Sequence, residues 1–206
     1  MSRACVAHLQ EDHTRFAQML ATLEGWVQKA ESAMPAEAAQ WQQARTMLES
    51  FIRDVTLHIS KEEQVLFPVL EAYLPRDIGP LAVLRGEHSD IRAQFRRLQE
   101  AIVVLCREPE SRHAAASFAR AGHALRQLVY DHLYKEDRVL YPMIARFLEP
   151  ERDAHLLQQM QALHASAESV APETLKDHTM GSARSSTEPT PRCPEGARPC
   201  PSIDKN

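Results

Sequence analysis

Apolar side chains recur at intervals of three and four residues along most of the chain, which is the spacing of one face of an α-helix. Four long stretches show this spacing, and each also carries a histidine or a glutamate on its apolar face. The pattern predicts four long amphipathic helices. The four stripes are Leu9, His13, Phe16, Leu20, Leu23 and Val27; Leu48, Phe51, Val55, His58, Glu62, Val65 and Val69; Leu81, Leu84, His88, Ile91, Phe95, Leu98, Ile102 and Leu105; and Ala121, Leu125, Leu128, His132, Glu136, Val139 and Met143.

Short segments that contain proline separate the four stripes. They are Met34-Pro35, Leu74-Pro75 through Gly79-Pro80, and Glu108-Pro109. Proline, glycine and the residue before a proline are unfavourable inside a helix, so these segments are predicted turns. Short turns between long helices make consecutive helices antiparallel. The predicted fold is therefore all-α, an antiparallel up-down-up-down four-helix bundle.

The apolar spacing continues past two further prolines and then stops near the C-terminus. At Pro68 and Pro142 we expect a kink or a locally loosened helix. A shorter fifth helix is predicted from Glu151 to about Ser169. After it, Thr, Ser, Pro and charged residues predominate, which predicts a disordered tail. The predicted organisation is a helical domain over residues 1–150, an accessory helix over 151–170 and the tail over 171–206.

Composition and charge narrow the class of protein. The chain has only six glycines, which favours helix, and its net charge of −4 comes without a basic stripe for nucleic acid. Charges occur too early at the N-terminus for the apolar core of a signal peptide, and the longest uncharged apolar run, 101–106, is too short to span a membrane. We therefore expect a cytoplasmic protein that binds neither nucleic acid nor membrane.

The four cysteines form no CxxC pair, and their spacing predicts no disulfide framework. Cys193 and Cys200 lie in the predicted tail. A redox or metal-delivery role for this pair is an alternative, but we favour the interpretation that the two cysteines have no function in common.

The second and fourth predicted helices contain the same sequence pattern. HISKEEQVLFPVLEAYL (58–74) aligns without a gap with HLYKEDRVLYPMIARFL (132–148). The first and third helices match more weakly, through LQEDHTRF (9–16) and LRGEHSDI (84–91). The offsets of 74 and 75 residues predict two helix hairpins related by an approximate two-fold axis.

Six ionisable side chains lie on the predicted inward faces of the helices. Each glutamate follows a histidine by four residues, so its carboxylate shares a helix face with the imidazole. A single core histidine is more often hydrogen-bonded than metal-bound, but an unpaired buried carboxylate is unfavourable. A metal ion satisfies all six together, so we predict a metal site inside the bundle. The predicted ligands are His13, His58, Glu62, His88, His132 and Glu136.

The types of ligand indicate which metal is bound. Nitrogen and oxygen ligands without a thiolate suit iron, manganese or zinc. Two carboxylates among four histidines suit two ions bridged by the carboxylates. The simplest pairing gives His13 and His58 to one ion, His88 and His132 to the other, and both glutamates to both. This arrangement leaves room for an oxo or hydroxo bridge and for an open position on each ion.

These residues and their order resemble the hemerythrin-like (HHE cation-binding) family, whose pattern is H…HxxxE…H…HxxxE. The phrases EEQVLFP and EDRVLYP, which follow the second and fourth histidines, are also similar to the family. The resemblance covers about residues 5–150. It implies a non-haem di-iron site in an antiparallel bundle. Members bind oxygen, sense iron or oxygen, respond to nitric oxide, or help repair damaged iron–sulfur clusters.

Two departures from the oxygen-carrying hemerythrins affect what the resemblance implies. Those proteins have a fifth histidine four residues after the third ligand, where this chain has Arg92. Without that ligand both ions have an open position, which weakens the analogy with reversible oxygen carriage. The carriers also end their site with HxxxxD, which Asp137 fits, but we prefer Glu136 because it matches Glu62 in the repeat.

Several neighbours of the predicted ligands receive a different interpretation. Asp12, Glu63 and Glu87 are interpreted as solvated surface residues, with roles as terminal ligands or as partners of ligands kept as alternatives. His8 is out of phase with His13 on the first helix and is not expected to bind metal.

The sequence leaves two functions open and disfavours three others. The first is a protein that binds or senses oxygen, nitric oxide or iron, and the second is a di-iron enzyme that reduces peroxide or nitric oxide, or a protein that repairs damaged iron centres. A ferritin-like oxidase is disfavoured because no inward pair has ExxH spacing, and a zinc protease because HExxH is absent. A metal-free structural bundle is disfavoured by the six buried ionisable residues. The expected partner is a diatomic ligand or peroxide.

Overall fold

The computed structural model describes residues 3–34 and 36–169, and no strand occurs among them. The all-α prediction is confirmed. None of the helices in this part of the chain combines the length and apolar composition needed to cross a membrane. The predicted tail lies outside the described residues. The elements are α1 (Ala4–Glu31), α2 (Ala38–Lys61), the π-helical turn π1 (Glu62–Leu66), α3 (Phe67–Leu70), α4 (Pro80–Leu105), α5 (Arg112–Lys135), the π-helical turn π2 (Glu136–Leu140), α6 (Tyr141–Phe147) and α7 (Pro150–Ser169).

The bundle is formed by α1, α2, α4 and α5, because each of these helices packs against two of the others. Helix α1 contacts α2 and α5, and helix α4 contacts the same two. The ring of His13, in the first half of α1, lies 5.0 Å from the ring of His58, near the end of α2. The rings of His88 in α4 and His132 in α5 are 4.8 Å apart in the same way. Consecutive helices therefore run antiparallel, as predicted.

Two hydrophobic clusters fill the interior of the bundle. The larger contains Trp41, Phe51 and Phe118 and occupies the half in which α1 turns into α2 and α4 into α5. The smaller contains Leu9 and Leu66 and is built from the start of α1, the π-helical turns, α3, α6 and α7. The predicted metal ligands lie between these two clusters, so apolar side chains border the site on both sides along the length of the bundle.

The predicted turns are confirmed by where the helices end. Residues 32–37 separate α1 from α2, and residues 106–111 separate α4 from α5. The connection before α4 ends at Gly79, whose φ of +81° is a left-handed value that other residues rarely adopt. Pro80 then begins α4, where its missing N–H removes no helical hydrogen bond.

A π-helical turn precedes each of the two internal prolines, so the predicted loosening at Pro68 and Pro142 is confirmed. Proline has no N–H and cannot bond to the carbonyl four residues earlier, which a wider turn accommodates. A turn closed between residues five apart brings both of them to nearly the same face of the helix. In the first turn, the closing hydrogen bond runs from the N–H of Phe67 to the backbone carbonyl of Glu62. In the second, it runs from the N–H of Tyr141 to the backbone carbonyl of Glu136.

The fifth predicted helix, α7, packs against α1 and α2. Its Leu156 and Met160 are buried in the smaller hydrophobic cluster. Its Asp153 carboxylate accepts the backbone N–H of Ala4 at 2.8 Å and of Cys5 at 2.9 Å. These are unpaired donors of the first turn of α1, so α7 caps the helix that carries the first histidine.

Candidate metal centre

The structure brings all six predicted ligand residues together between the four bundle helices. Glutamates Glu62 and Glu136 and the imidazole of His88 have no exposed surface, and the other three histidines are at most 6% exposed. The i,i+4 pairs lie where α2 and α5 pass into π1 and π2. Burying six ionisable groups is unfavourable unless each finds a charged or hydrogen-bonding partner.

The inward atoms form two overlapping sets, which we define as the first and second metal positions. Within each set the candidate ligand atoms all lie within 4.8 Å of one another. Glu136 belongs to both sets and is therefore placed to bridge them. The first metal position is bounded by His13, His58 and Glu136, and the second by Glu62, His88, His132 and Glu136.

The two glutamates differ in how they span the two positions. Glu136 Oε2 lies 3.1 Å from His13 Nε2, and its Oε1 lies 3.0 Å from His132 Nε2. Glu62 Oε2 lies 3.2 Å from His88 Nε2 but 3.7 Å from His58 Nε2. Glu136 thus faces both positions about equally, whereas Glu62 leans toward the second.

Three of these buried atoms have no hydrogen-bond partner. They are His58 Nε2, Glu62 Oε2 and Glu136 Oε1, whose contacts with one another and with the neighbouring imidazole nitrogens are ion-pair contacts without hydrogen-bond geometry. All three belong to the two metal positions. Polar atoms left without a partner in an apolar interior are rare, because each loses its hydration without compensation. Cations bound by nitrogen and carboxylate oxygen would supply the missing partners. The donor set therefore fits a pair of divalent or trivalent metal ions.

The Nδ1 atom of every site histidine faces a carboxylate on the outer side of the cluster. An imidazole held at Nδ1 presents Nε2 to a metal in a fixed orientation and with greater basicity. The four contacts are His58 Nδ1 to Asp12 Oδ2 at 3.2 Å, His88 Nδ1 to Glu63 Oε1 at 2.8 Å, His132 Nδ1 to Glu87 Oε2 at 3.0 Å and His13 Nδ1 to Asp137 Oδ1 at 3.3 Å. The first three are hydrogen bonds; the fourth is an ion-pair contact without hydrogen-bond geometry.

The interpretation of Asp12, Glu63 and Glu87 as solvated surface residues is therefore wrong. Asp12 is 2% exposed, and all three hydrogen-bond to a site histidine on a neighbouring helix. Spacing within one helix could not reveal these pairs, because the partner belongs to a different helix. A signal was present in the repeat, which places an acidic residue directly before His13 and before His88.

The outer carboxylates are themselves held by donors. Lys61, only 1% exposed, is the repeat equivalent of Lys135, and both bind an outer carboxylate. The donors are Lys61 Nζ to Asp12 at 2.9 Å, Lys135 Nζ to Glu87, both terminal nitrogens of Arg92 to Glu63 at 3.3 and 3.0 Å, and Gln10 Nε2 to Asp137 at 3.0 Å. Each histidine is thus the inner end of a chain of two further polar side chains.

Charge compensation in the metal-free cluster displaces several pKa values. Burial opposes ionisation of Asp12, but His58 and Lys61 outweigh it and hold its pKa well below the ordinary value. The hydrogen bond with His88 lowers the pKa of Glu63 to about 2. Burial works against protonated histidine, yet the surrounding carboxylates raise the pKa of His58 to about 9 and of His132 to about 10. The metal-free cluster therefore holds protons at neutral pH that a metal ion must displace.

Tyr141 is a site residue that the sequence analysis missed. Its ring stacks on His13 at 5.5 Å, and its hydroxyl donates to Glu62 Oε1 at 3.1 Å. Burial and the neighbouring glutamates raise the pKa of this hydroxyl well above its ordinary value. Tyr141 follows Glu136 by five residues, which is off the face of a regular α-helix but close to it across a π-helical turn.

The structure also shows where three residues discussed in the sequence analysis lie, namely Arg92, Asp137 and His8. Arg92 is not directed at the metal positions but pairs with Glu63. Glu136 lies at the centre with no exposed surface, whereas Asp137 lies outside it, against His13 Nδ1. His8 belongs to neither metal position and has Glu11 as a neighbour at 3.9 Å.

A four-helix bundle whose core holds two histidine–carboxylate pairs with HxxxE spacing and two further histidines has the architecture of a metal-binding bundle protein. The family described as the hemerythrin HHE cation binding domain matches residues 5–144. The chain belongs to this family, and the resemblance seen in the sequence is confirmed.

A similar curated protein is the iron-sulfur cluster repair protein YtfE of Musicola paradisiaca (strain Ech703). The two sequences are 26% identical over 140 residues. The match covers 67% of this chain and 63% of the relative, so it spans less than two-thirds of the relative's length.

Proposed function

We propose that this chain holds two iron ions in a non-haem dinuclear centre and uses them to bind or sense oxygen or nitric oxide. The observation that carries the proposal is the convergence of buried imidazole nitrogens and carboxylate oxygens on two overlapping positions, in each of which the candidate ligand atoms lie within 4.8 Å of one another. Iron is favoured over manganese and zinc by the family, and an oxo or hydroxo bridge would complete the centre. Bound iron would supply redox chemistry and open positions for a small ligand.

The chain's own residues would prepare this centre in three ways. Glu136 belongs to both metal positions and Glu62 lies between His58 and His88, nearer the second position, so the two carboxylates would set the spacing of the ions. The outer carboxylates hold the imidazoles at Nδ1, which leaves each Nε2 directed inward. The two hydrophobic clusters enclose the polar layer and would keep bulk water away from it.

Each metal position has only two histidines, and this supports a function that needs an open position. Arg92 stands where the oxygen carriers have a fifth histidine, and it is engaged by Glu63 instead. An ion with fewer protein ligands keeps room for an exogenous molecule. The proposed ligand is therefore diatomic or of peroxide size.

A second function, repair of damaged iron–sulfur clusters, is favoured by the similarity to the iron-sulfur cluster repair protein YtfE. A third, turnover of peroxide or nitric oxide, uses the same open positions. All three functions use the iron centre. In the first the small ligand is bound, in the second iron is delivered to a damaged cluster, and in the third the small ligand is consumed.

Anaerobic reconstitution with ferrous iron tests the proposal. We expect about two irons per chain and a stable adduct with oxygen or nitric oxide whose optical bands are absent from the Glu62→Gln variant. Catalytic consumption of peroxide or nitric oxide would favour the enzyme. Transfer of iron to an iron-depleted cluster protein would favour repair. Reconstituted protein without metal would contradict the proposal as a whole.

A further inference from the structure

The two halves of the site differ at one buried position. Phe67 and Tyr141 are equivalent in the repeat, and the backbone N–H of each closes its π-helical turn by donating to the backbone carbonyl of a central glutamate. Phe67 stacks on His88 with a centroid distance of 5.9 Å and an interplanar angle of 2°. Tyr141 stacks on His13 at 5.5 Å and 21°. The halves are therefore matched in shape, but only one of them carries a hydroxyl.

The hydroxyl of Tyr141 lies among atoms that face the metal positions. Its distances are 3.1 Å to Glu62 Oε1, 3.3 Å to His13 Nε2 and 3.4 Å to Glu136 Oε2. Of these three neighbours, His13 bounds the first metal position, Glu62 the second and Glu136 both. The ring of Tyr141 stacks on His13, which places the hydroxyl on the side of the first position. Tyr141 is 2% exposed, and its ring belongs to the smaller hydrophobic cluster, so its proton is offered to the centre rather than to solvent.

The equivalent place beside the second metal position offers no donor from the aromatic residue. Phe67 has no exposed surface and presents only a ring to His88. A buried hydrogen bond to an anionic acceptor is stronger than a neutral one and is not weakened by competing water. One side of the centre can thus stabilise a small ligand in a way that the other side cannot.

We propose that Tyr141 donates a hydrogen bond to the small ligand and so directs it to the first metal position, between His13 and His58. This inference rests on the proposed function, because it needs iron at the centre. The hydroxyl acts by direct contact with the ligand and is not required to hold the metal. The second metal position, covered by Phe67, then serves mainly to complete the bridged pair.

Azide is a suitable probe, because it is small and anionic and its stretching frequency reports hydrogen bonding. Tyr141→Phe removes only the hydroxyl and keeps the ring against His13. Tyr134→Phe makes the same change at a side chain that is 66% exposed and serves as the matched control. All three iron-loaded proteins are first assayed for iron per chain and then titrated with azide.

The expected result is unchanged iron content in both variants and azide binding about 3- to 10-fold weaker in Tyr141→Phe alone. Isotope-edited infrared spectra should show a shifted azide stretch in the same variant. Phe67→Tyr, which adds a hydroxyl at the equivalent place, should introduce a second azide band.

Full iron content with equal azide affinities and equal stretches in wild type and Tyr141→Phe would overturn this inference and leave the proposed function standing. A tyrosinate-to-iron charge-transfer band that disappears in Tyr141→Phe would also overturn it, since Tyr141 would then be a ligand of the metal. Wild-type protein that holds no iron would overturn both the inference and the proposed function.

Discussion

Arg92 binds both carboxylate oxygens of Glu63, and Glu63 in turn holds Nδ1 of His88 at 2.8 Å. The residue that replaces the fifth histidine of the oxygen carriers therefore still acts on the centre, through two steps instead of one. Its charge and its hydrogen bonds keep Glu63 ionised and in place, so His88 keeps its orientation. At the place of the fifth histidine, this chain therefore has a residue that supports the predicted ligand His88.

Arg92→Ala should weaken metal binding at the second metal position without abolishing it. Loss of the guanidinium frees Glu63 and leaves His88 less well oriented, and such outer partners are worth about tenfold or more in metal affinity. Competition with a chelator measures the effect. Arg96→Ala, four residues further along the same helix at an exposed position, is the control and should bind as wild type does. Equal affinities for both variants would show that Arg92 has no role at the centre.

Glu136→Gln and Asp137→Asn distinguish the two neighbouring candidates for a bridging carboxylate. Glu136 faces both metal positions, so its loss should remove iron from both of them. Among the six predicted ligands, Asp137 contacts His13 at its outer nitrogen, and it is partly exposed, so Asp137→Asn should keep its iron with lower affinity. Iron analysis of the two purified variants is the measurement. The reverse order of iron contents would make Asp137 the ligand and would contradict the assignment of Glu136.

The inward position of the six residues could be predicted, because two features of the sequence indicate it. One is helical phase, which places His58 with Glu62 and His132 with Glu136 on one face. The other is the duplication, which repeats the arrangement after 74 residues. The breaks between helices were predictable from proline and glycine, because these residues act locally. The assignment of the six as metal ligands stays a prediction until a metal is measured.

The outer carboxylates and Tyr141 were not predictable in the same way. Asp12 reaches His58 across a helix interface, and no pattern within one helix specifies its neighbour. Tyr141 comes onto the site face only because the π-helical turn changes the phase after Glu136. Pro142 signalled a disturbance at this place but not which kind of turn would result.

The metal-free protein should lose stability in alkaline solution. His58 has its pKa raised from 6.5 to about 9, and His132 from 6.5 to about 10, so both contribute stability that is fully present below 6.5. That contribution is lost as the pH rises through the folded values, because the proton then leaves the folded state too. Thermal denaturation of the metal-free protein between pH 7 and about pH 10 should show a falling midpoint.

The iron-loaded protein is the control for this pH dependence. Its imidazoles are neutral because metal ions have replaced their protons, so its midpoint should change little over the same range. A metal-free protein with a flat profile would show that the histidines do not carry these protons.

Asp153→Asn should destabilise the bundle without removing iron. The two carboxylate oxygens accept the N–H groups of Ala4 and Cys5 in the first turn of α1, and an asparagine amide can accept only one of them. Loss of one buried hydrogen bond costs about 1 kcal/mol. For a chain of this size that corresponds to a midpoint lower by about 3 °C. Glu151→Gln, at an exposed position in the first turn of α7, should have no comparable effect. An iron content that falls together with the midpoint would instead give Asp153 a role in the site.

A crystal of the iron-loaded protein, measured for anomalous scattering at the iron absorption edge, tests the central claim most directly. Two anomalous peaks are predicted, one bounded by His13, His58 and Glu136 and the other by Glu62, His88, His132 and Glu136. No peak at either place, or a peak only among the outer carboxylates, would contradict the account of this chain as a di-iron bundle.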